Sequence, residues 1–399
     1  MTEASVSLPL DGVQVVELGT MITAPYAGML LAELGASVTK VENPDGGDPF
    51  RATGGGSYGP NFVAYNRGKR SITLDLKADD GKQAFHRLLE RSDVLVENYR
   101  TGVMDKLGFS VEAIRAINPR IVHCSITGFG ASGPYRNRPA YDAVASALSG
   151  IYGLALDPAD PRLVGVTIAD NVSGMYAVQG IVGALFQRER TGEGRRIEVN
   201  MLESSIAFTP DAFAHLAQTN VEYGPTSRIA SSQCFAFACA DGRLIAIHLS
   251  VQTKFWDRLL ALIDTPAIAD DPRFKQRSGR VAHYHELRAA LAPVFASRPR
   301  EAWMTALDRL DVPFAPIHTI PEVMADPQVV HLHTFGTSVH PTEGNTLNIR
   351  SPVRFDATRR DAAPPPTLGE HTAEILAELG LAAAAAMPET PSPTAGSAA

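Results

Sequence analysis

The stretch VQVVELGTMITAPYAGMLLAELGASVTKVE, residues 13–42, decides the fold. VQVVELG (13–19) is an apolar, β-branched run of strand length that stops at a glycine. In PYAGMLLAELG (25–35) the apolar residues change to helical spacing and again stop at a glycine, and SVTKVE (37–42) returns to strand composition. Strand, helix and strand joined by short links make one βαβ unit, and its two strands lie parallel.

A second unit follows. SITLDL (71–76) reads as a strand, residues 79–92 as a helix, DVLVENY (93–99) as a strand, and IVHCSITGFG (121–130) as another largely apolar strand. Strands alternating with helices predict an α/β fold: a Rossmann-like large domain with a parallel sheet covered on both faces. The first strand-to-helix turn, LGTMITAP (18–25), lacks G-x-G-x-x-G, which argues against a nicotinamide enzyme.

Beyond residue 222 the pattern changes. QCFAFACADGRLIAIHLS (233–250) predicts a hairpin turning at Asp241-Gly242, and helices follow in QTKFWDRLLALID (252–264), HYHELRAALAPVFAS (283–297) and REAWMTALDRLD (300–311). The expected division is a first part of the large domain over 1–221 and a smaller α+β domain over 222–335. A return to the large domain over 336–382 carries the strand-like LNIRSPVRF (347–355) and the helix GEHTAEILAELG (369–380), and the low-complexity tail 383–399 is expected to be disordered.

Composition narrows the function classes. The 399 residues carry a formal charge of −7 and no basic run with interleaved aromatics, so no nucleic-acid partner is expected and any anionic ligand must be met by local cations. Cys124, Cys234 and Cys239 form no CxxC pair, and the histidine pairs 283/285 and 331/333 lack ligand spacing, so no metal site and no disulfide framework is expected. No export signal or membrane span is legible, which predicts a cytoplasmic protein. GGSYG (55–59) matches G-x-S-x-G, but Ser57 lies in a glycine-rich loop without the strand and helix of a nucleophile elbow.

The remaining chemical candidate is Asp170, in GVTIADNVSGM (165–175), where a strand-like run meets a helix. Taken alone it reads as a helix N-cap or as a carboxylate nucleophile at a sheet's ligand-binding edge. The helix that follows, residues 171–192, carries Met175, Val178, Val182, Leu185 and Phe186 near the helical period, and RRIEVNML (195–202) predicts a further strand.

Several segments together resemble the class III CoA-transferase family, with α-methylacyl-CoA racemase as a relative. They are LPLDGVQVVELG, LLAELGASVTKVENPDGGDPFR, NRGKRSITLDLK, DVLVENYRTGVMDKLG, INPRIVHCSITGFGASGPY, IADNVSGM, RERTGEGRRIEVNMLES and LGEHTAEIL, and the resemblance covers residues 8–380. It implies a Rossmann-like large domain built from both chain ends, a smaller domain between, and an interlocked homodimer. Asp170 would be the nucleophile, passing through an acyl anhydride and an aspartyl-CoA thioester. CoA-binding positions would fall on Met21, Ile22, Asn43, Leu74, Asp75, Leu76, Lys77, Asn98, Tyr99, Lys106, Arg138 and Tyr141. Lys77, Lys106 and Arg138 are the candidate cations for the adenosine phosphates.

The racemase branch pairs this aspartate with a histidine where the present sequence has Tyr141, which favours transfer over racemisation. Ile22 stands where oxalate-using relatives carry glutamine, Asn43-Pro44 replaces their basic pair, and no tetraglycine-like loop occurs over 225–260, which argues against formyl/oxalate specificity. Arg228 is the candidate anchor for a second carboxylate on the acceptor. The expected activity moves CoA from an acyl-CoA, with succinyl-CoA as the donor considered, to a small carboxylic acid. CoA thioester is substrate and no cofactor is permanently bound; an acyl-CoA racemase and a silent CoA-binding subunit are the alternatives.

Overall fold

The structure is a computed structural model that describes residues 7–163, 165–251 and 253–381. The tail 383–399 lies outside the described residues. Contacts divide the chain into two compact units: one takes in the residues up to Ser146, Thr167–Ser205 and those from Phe335 onward, the other Ala147–Val166 and Ile206–Thr334. The sequence reading draws its first boundary at 221/222, so contacts assign residues 147–166 and 206–221 differently.

The first unit is built on a six-stranded sheet of β1 (Gln14–Leu18), β2 (Ser37–Glu42), β3 (Lys69–Thr73), β4 (Val94–Glu97), β5 (Val122–Thr127) and β6 (Arg196–Asn200). All pairings are parallel and the order is β3-β2-β1-β4-β5-β6. Strand order therefore reverses between β1 and β4, the position where doubly wound sheets open a ligand crevice. Its helices include α1 (Thr23–Glu33), α2 (Pro60–Asn66), α3 (Asp79–Arg91), α4 (Val103–Leu107), α5 (Val111–Ile117), α6 beginning at Asp142, and α7 (Ala169–Thr191).

Alternation along each strand assigns the two faces. Val15, Val38, Val94 and Val96 pack with Ala27 and Leu31 of α1 and Ile181 of α7, whereas Val16 and Leu95 pack with Phe85 and Leu89 of α3 and Ile114 of α5. Helix α3 carries Asp79 and Asp80 in its first turn and Arg91 in its last, matching its dipole. Of the five large apolar residues of α7 noted in the sequence, Leu185 is buried and Val178 packs against the same core, whereas Met175, Val182 and Phe186 are exposed; Ala177, Ile181 and Ala184 complete the buried face. Small side chains such as Ala177 and Ala184 let α7 lie close against the sheet and α1. The helix ends at Gly192, φ 75°, after Arg188 and Arg190.

The chain returns to this unit at its C-terminal end. His371 donates its backbone N–H to Ser71 O at 3.0 Å, and the helix Thr372–Glu378 buries Ile375 beside β3. The run 347–355 contributes to an antiparallel pair, Phe335–His340 with Gly344–Ile349, that does not join the parallel sheet.

In the second unit the hairpin forms as read: Cys234–Ala238 pairs antiparallel with Leu244–His248, and Gly242 turns at φ 73°. A third strand, Phe314–Ile317, completes the sheet. Aromatic packing centres its core: Phe237 stacks on Phe295 at 4.3 Å, and Trp303 donates Nε1–H to Phe295 O at 2.8 Å.

Candidate active site

At the switch point the turn Gly19–Ile22 is tied to the strand beside it. Asn98, just past β4, accepts from Thr20 N–H at 3.0 Å and donates Nδ2 to Thr20 O and Thr23 Oγ1, both at 2.8 Å. Gly19 permits the close turn, since a Cβ there would come within 2.5 Å of Ala24 Cβ. Met21 holds φ 64°, a left-handed conformation that costs a residue other than glycine about 1 kcal/mol or more.

This turn forms one wall of a cavity of about 500 Å³ at the C-terminal edge of the sheet. Met21 and Ile22 line it, as do Asn98, Tyr99 and Lys106 from the segment after β4, Arg138 and Tyr141 from the segment after β5, and Asp170 from α7. The structure does not bring the other expected CoA positions here. Asn43 is exposed and closes its own turn by accepting from Asp45 N–H at 2.9 Å. Leu74 and Leu76 are buried in the apolar core, while Asp75 and Lys77 are exposed and joined by an Asp75 Oδ1 bond to Lys77 N–H at 2.9 Å. Arg100 and Arg136 also line the cavity, so four cationic side chains gather on a chain whose formal charge is −7. Arg138 lies over the Tyr135 ring at 4.6 Å, which organises the segment from within.

Asp170 is not the helix cap. That position falls on Ile168, which makes no side-chain capping bond, and Asp170 lies inside the first turn. Burial, with the neighbouring Asp142 carboxylate adding to it, pushes the Asp170 carboxyl up to about 7. A helix N-terminus favours the ionised form by only about 0.3–1 kcal/mol, less than the roughly 4 kcal/mol that this elevation represents, so the opposing effects win. Asp142 Oδ1 also accepts the Asp170 backbone N–H at 3.2 Å. Tyr65 of α2 stands nearby, its phenol pushed up by burial and by the Asp170 and Asp142 carboxylates. Gly174 sets the depth of α7: a Cβ there would sit 3.0 Å from Thr23 O and from the Tyr26 ring.

Other candidates lie elsewhere. Arg228 belongs to the second unit, is 64% exposed along its side chain, pairs with Asp211 at 3.4 Å and bonds Ser232 Oγ. Cys124 is fully buried and its thiol is pushed up to about 12 by burial, as suits a small core residue. No cluster of three or more metal-ligating side chains occurs among the described residues. Sequence reasoning missed Asp142 and Arg100. Asp142 directly follows Tyr141, but only a contact 28 residues away in sequence makes it part of the site.

Comparison with known proteins places this geometry in a family. Residues 10–372 match the model of CoA-transferase family III. A succinate–glutarate CoA-transferase of Agrobacterium fabrum is 36% identical, with 93% of this chain and 96% of the relative covered. A formyl-CoA:oxalate CoA-transferase of Streptomyces avermitilis is 35% identical, with 93% and 96% covered. The crystal structure of a CaiB/BaiF family protein from Brucella suis superposes with a TM-score of 0.84 at 33% identity, covering 94% of this chain and all of that one. The chain belongs to CoA-transferase family III, and it is a CoA-transferase.

Proposed function

We propose that this enzyme moves CoA from an acyl-CoA, with succinyl-CoA as the donor considered, to a small carboxylic acid through covalent adducts on Asp170. The observation that carries the reading is the Asp170 carboxyl in a cavity that also holds four cationic side chains. The ionised carboxylate attacks the thioester carbonyl, the C–S bond breaks, and CoA leaves as thiolate from a mixed anhydride. The thiolate then attacks the aspartyl carbonyl of that anhydride, releasing the donor acid and leaving an aspartyl-CoA thioester. The acceptor carboxylate repeats the sequence in reverse: it attacks the aspartyl carbonyl, CoA thiolate departs, and thiolate attack on the acceptor's acyl carbonyl frees the new thioester and Asp170. Each intermediate conserves the activation of the thioester, so no external energy source is required.

Lys106 and Arg138, joined by Arg100 and Arg136, are the proposed phosphate partners, and Met21, Ile22, Asn98, Tyr99 and Tyr141 the remaining CoA contacts. The expected positions Asn43 and Leu74–Lys77 would need a ligand that extends along the same sheet edge past β2 and β3. The similarity to a succinate–glutarate enzyme and to an oxalate enzyme, both acting on dicarboxylic acids, supports a dicarboxylic acceptor. Arg228 remains the proposed acceptor anchor. The resemblance supports an interlocked homodimer, and the reading of the sequence supports a cytoplasmic enzyme.

The acid/base alternative draws on the same elevated carboxyl, since a group titrating near 7 also suits proton transfer next to a thioester. One experiment separates them. The enzyme is incubated with a panel of acyl-CoAs in deuterated water and trapped with hydroxylamine or borohydride, and peptides are read by mass spectrometry. A trapped modification at Asp170, absent in Asp170→Ala together with transfer activity, is expected. Full activity in Asp170→Ala, or α-deuterium incorporation without an acceptor acid, would overturn the transferase mechanism.

A further inference from the structure

Charged strand residues are sealed behind the turn that walls the cavity. Glu17 and Lys40 are 0% exposed and Lys69 is 4% exposed, on β1, β2 and β3. Glu17 and Lys40 are partners in register, with Lys40 Nζ 2.8 Å from Glu17 Oε1, and Lys69 Nζ lies 2.7 Å from the other carboxylate oxygen. Lys40 also donates to Gly19 O at 2.7 Å and stands 3.0 Å from Asp48 Oδ2. Asp48, 1% exposed, receives the Met21 backbone N–H on both carboxylate oxygens at 3.1 Å. It is held from behind by Glu42, whose Oε2 accepts Asp48 N–H at 3.1 Å and whose carboxylate is gripped by Arg51 at 2.8 and 2.6 Å. Burial alone would depress Lys40, and the Glu17, Asp48 and Glu42 carboxylates overcome it, holding the ammonium above its ordinary range.

Buried ion pairs contribute little net stability over well-packed apolar residues, so stability does not account for so many charges here. Their geometry does suggest a use. Two of them converge on a single turn: Lys40 holds Gly19 O and Asp48 holds Met21 N–H. Immediately past the second grip Met21 occupies φ 64°, which a methionine leaves unless its backbone is fixed, and Met21 and Ile22 face the cavity.

We propose that Asp48 and Lys40 are positioning residues that lock the Gly19–Ile22 turn in the left-handed shape that receives the acyl-CoA. The inference rests on the reading of this cavity as the acyl-CoA site. Neither side chain lines the cavity, so their effect passes through the backbone of the turn.

The test is a double-mutant cycle on the full-length enzyme, measuring KM for the acyl-CoA and kcat. Asp48→Asn should raise KM about tenfold, the effect of one lost charge-assisted hydrogen bond, with kcat changed less than about threefold. In a Met21→Gly background the same substitution should raise KM less than about threefold, because glycine adopts positive φ without strain. An unchanged KM, or an equal rise in both backgrounds, overturns the proposal. Should Asp48→Asn fail to fold, Met21→Val and Met21→Asn read the same requirement: asparagine tolerates positive φ and valine does not, so valine should give the higher KM, and equal values overturn the proposal. Lys106→Ala and Arg138→Ala are measured alongside. If neither raises KM, the reading of the cavity has failed; if they raise it and Asp48→Asn does not, only the positioning role has failed.

Discussion

A carboxylate attacks a thioester only when ionised, and burial together with Asp142 holds Asp170 protonated up to about pH 7. Activity that depends on this nucleophile should therefore fall as pH drops through that value. Asp142→Asn removes the like charge while keeping an oxygen that can accept the Asp170 N–H. The Asp170 pKa should then decrease, and the acid limb of kcat/KM should move to lower pH by about one unit. The pH dependence of stability runs the other way. A carboxyl whose folded pKa lies above its unfolded value disfavours folding increasingly from about pH 4 to pH 7 and by a constant amount above. Asp142→Asn should thus raise the melting temperature at pH 8 relative to its effect at pH 4. An acid limb that does not move would show that Asp142 has no influence on the proposed role of Asp170. Asp170 was legible in the sequence because a motif surrounds it; Asp142 was not, because its role depends on a fold contact between segments that no local pattern links.

The βαβ elements were legible because apolar periodicity and terminal glycines act within a few residues. Their buried charges were not. Alternation along VQVVELG and SVTKVE reads Glu17 and Lys40 as polar residues on one strand face, and the structure covers that face with α1. Gly28 makes this covering possible: a Cβ at that position would sit 2.0 Å from Glu17 Oε2. Gly28→Ala forces either α1 away from β1 or the carboxylate away from Lys69, and both disturb a fully buried ion pair. The expected cost is about 3 kcal/mol or more, read as a lower midpoint in urea, although alanine favours a helix by nearly 1 kcal/mol over glycine. A stabilised variant would mean that the Glu17 pairing is not held as tightly as the geometry indicates. The helix α7 was legible from its periodicity, but which of its residues are buried was not: close packing against α1 brings small ones such as Ala177 and Ala184 inside.

At the scale of the whole molecule, the return of the chain to the first unit depends on contacts nearly 300 residues apart, such as Thr73 N–H to Thr372 Oγ1 at 3.1 Å. A helix over 369–380 and a strand-like run over 347–355 were legible, as was a return to the large domain; the seat beside β3, the strand Phe314–Ile317 and the pairing of 335–340 with 344–349 were not. Two interactions seat the helix, and magnitude separates them. Ile375 is 2% exposed in the core that also holds Ile72 and Phe85, whereas Arg70 reaches Glu374 and Glu378 across a surface where the carboxylates are 63% and 50% exposed. Truncating a buried isoleucine costs about 2–5 kcal/mol, and exposed ion pairs contribute about 0–1 kcal/mol. Ile375→Ala should therefore lower the thermal midpoint by several degrees and Arg70→Ala by little. Since the helix does not line the cavity, kcat/KM of Ile375→Ala measured well below its midpoint should match that of the unsubstituted enzyme. A loss of kcat/KM under those conditions would show instead that the C-terminal helix shapes the site through β3 and the sheet edge.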